Sequence, residues 1–348
     1  MAIILYGSLY PFEFHARPAL GSPFHALILE WRVTADRADV ISNLMLYFPL
    51  GLFFVLAIRR FPPIARVAMA TVFGLALSMG MEMAQFYDRT RSPEMADVYA
   101  NTAGTFLGAI AAGFFARLRR PFVALMLACW LGYRLYPYAP ALRPLNFAAP
   151  ISWLELYFQT TVWLAVALLL EAVAGENRLT LLWTALVVLL ARVLMAPVPL
   201  PSTELLAALL AAVLWTALIS RLPHRATIVA VLFASVVVVQ ALAPYHFRAS
   251  ARSFGWIPFL SLLNALRETA VRQFLEKAFM YGGLVWLLAR AGLRISVATA
   301  LGGALVLALR IAQVYLPGRS AEITDLVMLL LLAGTMKMLG EFSAAKPE

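Results

Sequence analysis

Charge is scarce in this chain, and cysteine nearly absent. Asp, Glu, Lys and Arg together make up 13% of 348 residues, while 63% are hydrophobic. Ordinary soluble domains carry about a quarter charged residues, so a water-soluble fold would leave far too much apolar surface exposed. The single cysteine, Cys129, lies inside an apolar run. That excludes an intrachain disulfide framework and a cysteine metal site. The histidines number four, and none has metal-ligand spacing with another His or acid on a clear helix. No metal site is therefore expected. P-loop, G-x-S-x-G and H-E-x-x-H strings are missing, so nucleophilic catalysis has no motif behind it. The apolar start, Met1 to Leu9, lacks a basic leader and a small-residue cleavage site, so no cleavable signal peptide is expected. Nothing implies a cofactor.

Acidic residues are outnumbered 18 to 28, leaving a net charge of +10. Nucleic acid is not the expected partner, because the arginines sit at the ends of apolar runs rather than in one patch. That placement is a topology signal.

Long apolar runs are what the chain has in abundance. Mean hydropathy is +0.83, and the runs extend about 17–22 residues, enough to span a bilayer. The expected fold is an all-α polytopic transmembrane bundle of about 11–12 segments. They arrange as three divergent four-segment repeats: residues 1–120, a degenerate middle copy over 121–222, and a second recognisable copy over 223–348. The first segment, Met1–Leu9, is too short to span alone at about 1.5 Å per residue.

The repeat is clearest in one loop. Gln85 to Asp97 and Gln313 to Asp325 share the pattern Q-x-Y-x-x-x-R-S-x-E-x-x-D. The middle copy keeps Ser202 and Glu204 but has Ala207 where the Asp would fall. Asn43 and Tyr47 align with Lys277 and Tyr281. Basic residues crowd the loops after the second segments (Arg59, Arg60, Arg66; Arg178; Arg290, Arg294) and after the fourth (Arg117, Arg119, Arg120; Arg221, Arg225). Those loops are expected in the cytoplasm, with both termini, and the motif loops on the outer face. Trp31, Trp153 and Trp256 mark the polar connections, as interfacial tryptophans do.

The candidate site residues follow from the motif. Ser92, Ser202 and Ser320 are placed to cap helices, with Glu94, Glu204 and Glu322 favouring the positive helix ends. Capping does not explain Arg91 with Asp97, or Arg319 with Asp325. Glu94, Asp97 and Asn101 share one helix face, which Gly104 and Gly108 continue. Arg91 is the expected partner of Asp97, and Arg319 of Asp325. Such pairs are structural, or they hold an anionic head group. Glu82, one turn before Gln85, has Arg310 before Gln313 and Arg192 at the related middle position. Glu82 is expected to pair with Arg310 or Arg192. Arg192, Lys277, Arg310 and Arg319 are expected to line a basic pocket for a phosphate or carboxylate.

The string Asn43-Leu44-Met45-Leu46-Tyr47-Phe48-Pro49-Leu50-Gly51, followed by Glu82, Gln85, Arg91, Asp97 and Asn101-Thr102-Ala103-Gly104, resembles the VanZ-like family of membrane proteins. The resemblance covers roughly Asp39 to Gly113. It returns at Gln313, Arg319, Glu322 and Asp325, and departs at Lys277, Gly283 and Arg310. The family takes its name from association with teicoplanin resistance, so the resemblance implies a role in the cell envelope. The expected function is binding or handling of an anionic amphiphile or polyprenyl-linked ligand among membrane lipids. The alternatives are an intramembrane enzyme acting on a lipid-linked substrate and a structural partner of an envelope enzyme.

Overall fold

The computed structural model describes residues 2–10, 12–15, 22–29, 37–58, 60–88, 92–136, 150–175, 177, 179–195, 201–261 and 267–342. The described residues form α-helices joined by turns. In the first unit these are α1 (Ala2–Leu9), α2 (Pro23–Leu29), α3 (Arg37–Ala57), α4 (Pro63–Gln85) and α5 (Met95–Phe115). Next come α6 (Pro121–Leu135), α7 (Trp153–Ala174), α8 (Thr180–Met195) and α9 (Ser202–Ala217). The last are α10 (Arg225–Leu242), α11 (Arg267–Arg290), α12 (Ile295–Ala312) and α13 (Thr324–Met338). Each segment read from the sequence is a helix. The short α2 is an addition inside the first polar connection.

Among the described residues, seven helices are long and apolar enough to cross a membrane: α3, α4, α5, α7, α9 continued to Arg221, α10, and α12 continued to Tyr315. α6 and α8 are shorter apolar helices. This is a multi-pass membrane architecture. Local chemistry sets several boundaries. Pro63 and Pro121 open α4 and α6, where a missing N–H costs nothing. Ser152 accepts from the Glu155 N–H at the start of α7, and Gly175 at φ 81° ends it. Trp153 is 78% exposed and Trp256 73% exposed, as rings lying at an interface would be. Trp31 lies outside the described residues.

The chain divides into two compact units, residues 1–118 and 119–348. In the first, α3 and α5 approach backbone to backbone. A Cβ on Gly104 would meet the Leu44 carbonyl, one on Gly108 the Phe48 carbonyl, and one on Gly51 the Thr105 carbonyl. Without a hydrophobic drive between helices in lipid, such close approach is what small residues provide. Leu52, Val55, Ala70, Ala109 and Ala112 form the core beside this seam.

In the second unit, α7 is the central helix. Val162 to Leu169 are all buried, so the helix is apolar on every side and covered on every side. It packs against α6, α8, α9 and α10, while α11 packs against α6, α10, α12 and α13. The segments read as middle and third repeats therefore interleave: α6 lies against α11, and α10 against α7. On α8, Leu182, Trp183, Leu186, Val187, Leu190 and Leu194 form an exposed stripe at helical spacing, a lipid-facing surface.

The glycine seam makes a prediction. Gly108→Val should destabilise the first unit by about 1–3 kcal/mol or prevent its folding, through overpacking. Gly113→Ala, where a Cβ meets nothing within 4 Å, should be neutral or stabilising. Thermal unfolding in detergent measures both, and equal melting of the two variants would contradict the close approach.

Candidate functional site

In the first unit, α4 and α5 carry the polar residues singled out by the motif. Glu82 is 2% exposed, and its Oε2 accepts the Glu94 N–H at 2.9 Å. Asn101, 3% exposed, donates to Ser78 Oγ at 2.9 Å. Gln85 donates to the Ser8 carbonyl at 2.8 Å, tying the end of α4 to α1. Tyr47 is fully buried on α3, near Ser78 and Glu82. Asp97 is half-buried in the first turn of α5, and Asn43 half-buried on α3. Arg91 lies outside the described residues.

The second unit makes several hydrogen bonds of the same kind. Gln313 donates to the Ala241 carbonyl at 2.7 Å, as Gln85 does to Ser8. The Arg248 N–H donates to Tyr315 O at 2.8 Å, as His15 N–H does to Tyr87 O at 2.8 Å. Phe12 and Tyr245, each following a proline, both take the left-handed conformation, at φ 68° and 64°.

Asp325 is the centre of this second cluster. It is 1% exposed and lies in the first turn of α13. Lys277 Nζ stands 2.9 Å from its Oδ1, and Arg310 pairs with its Oδ2. The Tyr281 hydroxyl donates to the same carboxylate and accepts from Arg310 Nη2 at 2.9 Å. Arg310 also holds the Gln313 side-chain oxygen and, at 3.2 Å, the Ser320 carbonyl. Three helices, α11, α12 and α13, are thus pinned at one carboxylate.

Beside this cluster is a cavity of about 180 Å³. Lys277, Tyr281, Arg310 and Arg319 line it, with Glu276, Gln273 and Gln240. The cavity face of α11 is the stripe Gln273, Glu276, Lys277, Met280 and Tyr281, at the spacing of one helix side. Three of the four cations read as a basic pocket meet here. Arg192 is elsewhere, in a separate buried cluster. There Glu204 takes Arg192 at 3.5 Å and Arg134 at 3.3 Å. Arg134, 3% exposed, also donates to Gln159 and lies 5.3 Å from the Trp163 ring centroid and 5.9 Å from that of Trp130.

Several expectations are corrected. Arg319 does not pair with Asp325. Its Nε donates to the Ala243 carbonyl at 2.8 Å and its Nη2 to that of Gln240 at 2.9 Å. Asp325 is already taken by Lys277 and Arg310, which reach it from neighbouring helices. The three serines do not cap. α5 starts at Met95, beyond Ser92; α13 starts at Thr324, beyond Ser320; and Ser202 is already inside α9. Glu322 instead accepts from Ser261 at 2.8 Å and Thr324 at 3.2 Å. Glu82, Arg192 and Arg310 each find partners within their own unit: the Glu94 N–H, Glu204 and Asp325.

The sequence reading missed Glu276, Gln240, Gln273 and Arg134 as site residues. Glu276 and Arg134 carried a signal, a charge within or at the end of an apolar stretch. Tyr281 was visible as the counterpart of Tyr47, without a role. The two glutamines carried no such signal.

Removing the carboxylate at the centre leaves two cations facing each other in a buried place. Asp325→Asn should cost about 3–5 kcal/mol, the usual penalty for breaking a buried pair from one side. Denaturant unfolding in detergent reads this directly. Stability equal to the parent would mean that the carboxylate does not hold the three helices.

Searches of curated proteins and of solved structures return no match. Residues 1–116 match the model of the VanZ/LLP1 family. The first compact unit, with its Gln85, Glu82 and Asn101 framework, is therefore the part of the chain that is similar to the VanZ/LLP1 family.

Proposed function

We propose that this multi-pass membrane protein holds the anionic head group of a lipid, or of a lipid-linked envelope ligand, in the cavity of its second unit. One observation carries the reading: Lys277, Arg310 and Arg319 converge on a single cavity, and one buried carboxylate, Asp325, is ion-paired to two of them. Two cations shared by one carboxylate leave an excess of positive charge. Cations within membrane helices are costly and are kept where they face a partner or a water-filled site. Guanidinium groups suit phosphate and carboxylate oxygens through paired donors.

The same proposal includes a cytoplasmic-membrane location, cytoplasmic termini and motif loops at the outer face, from the distribution of basic loops. It also reads the chain as three repeats. The paired hydrogen bonds of Gln85 with Gln313 and of His15 with Arg248 support common descent of the first and last. In the sequence of the first unit, Arg91, Glu94 and Asp97 correspond to Arg319, Glu322 and Asp325. A role beside envelope enzymes, with an effect on glycopeptide susceptibility, belongs to the same reading.

Native mass spectrometry of gently solubilised protein tests it. Wild type should retain a lipid or polyprenyl species that carries a phosphate or carboxylate group. A folded Lys277→Ala/Arg319→Ala variant should lose at least tenfold of that retention, about 1.4 kcal/mol. Equal retention by both would leave the charges as an ion-paired scaffold for a partner enzyme.

A further inference from the structure

The cavity holds an acid as well as cations, and the acid is not committed to any of them. Glu276 is half-buried and lines the cavity between Gln273 and Lys277. Among the described residues it makes no hydrogen bond or ion pair. Its neighbour Lys277 is drawn along α11 to Asp325 instead. The charges that act on Glu276 are Arg272 foremost, then Glu155, Arg134 and Lys277, none of them in an ion pair with it among the described residues, and Arg134 is turned to Glu204 and Gln159.

A site built for a simple anion would gain nothing from this carboxylate. It would repel the ligand that Arg310, Lys277 and Arg319 attract. The charges are also separated along the stripe. Glu276 lies five residues from Tyr281, about 7.5 Å along the helix, and Tyr281 is the residue bonded to Arg310 and Asp325. The Lys277 ammonium and the Arg310 guanidinium gather at Asp325, whereas Glu276 and the neutral amide of Gln273 lie toward the start of α11. An aminoethyl phosphate reaches across that span with a hydrogen bond at each end.

Resting on the reading of this cavity as a head-group site, we infer that its ligand is zwitterionic: an amino-alkyl phosphate. The phosphate lies toward Arg310, Lys277 and Arg319, and the ammonium lies toward Glu276. Complementary placement of both signs provides selectivity, because a ligand lacking the ammonium leaves Glu276 facing an anion. The same chemistry is carried by a phosphatidylethanolamine head group and by free phosphoethanolamine.

The test is lipid retention from nanodiscs holding equimolar phosphatidylethanolamine and phosphatidylglycerol. Wild type should keep the ethanolamine lipid at least fivefold over the glycerol lipid. Glu276→Gln should retain lipid but lose the preference. Excess soluble phosphoethanolamine distinguishes the sources: displacement of the lipid assigns the site to the free compound, and no displacement assigns it to the lipid. Equal retention of both lipids by wild type, or an unchanged preference in Glu276→Gln, overturns the inference. If Arg319→Gln, a milder change than the double variant, still removes both lipids, the head-group reading survives that failure. If Arg319→Gln and the double variant keep lipid as wild type does, the head-group reading falls as well.

Discussion

A carboxylate as buried as that of Asp325 needs partners within the protein, and the second unit is arranged around that need. Asp325 is satisfied by Lys277 from α11, Arg310 from α12 and the Tyr281 hydroxyl. Each partner would be expensive in lipid by itself. Together they fix where three helices meet and line one side of the cavity. Arg310 extends the network by holding Gln313, whose amide reaches back to the Ala241 carbonyl on α10. The order of dependence runs from the charge pair to the helix arrangement and from there to the pocket.

The first unit solves the same steric problem with less charge. Gln85 makes the corresponding bond to Ser8, but Glu82 occupies the place of Arg310 and Asn43 that of Lys277. Glu82 uses a backbone N–H, and Asn101 a serine hydroxyl. The glycine seam between α3 and α5 adds close dispersion contacts. The two units thus differ in their electrostatics, and in the second a cavity lies beside the cations.

Much of this was legible from the sequence because membrane helices announce themselves by run length. The boundaries of α7 coincide with the apolar run from Trp153 to Ala174, which has a serine cap and a terminal glycine. The repeated motif also pointed to Asp325, Arg310, Gln313 and Lys277 before any geometry. Pairing was not legible. Arg319 stands six residues before Asp325 and reads as its partner, yet the bond goes to α10 carbonyls because Lys277 and Arg310 arrive from other helices. Linear spacing says which residues share a turn, not which helices become neighbours. Glu276 was overlooked for the same reason: its meaning comes from the cavity it faces, and the cavity is made by three other segments.

The interleaving in the second unit bears on how the protein is made. α6 emerges from the ribosome some 130 residues before α11 begins, yet α11 is one of the helices it packs against. Until α11 is inserted, the buried face of α6, including Phe122 and Met126, must wait in lipid or against a chaperone. α3, α4 and α5 have no such delay, since they follow one another directly and close on themselves. Assembly of this chain is therefore sequential in its first third and concerted in the remainder.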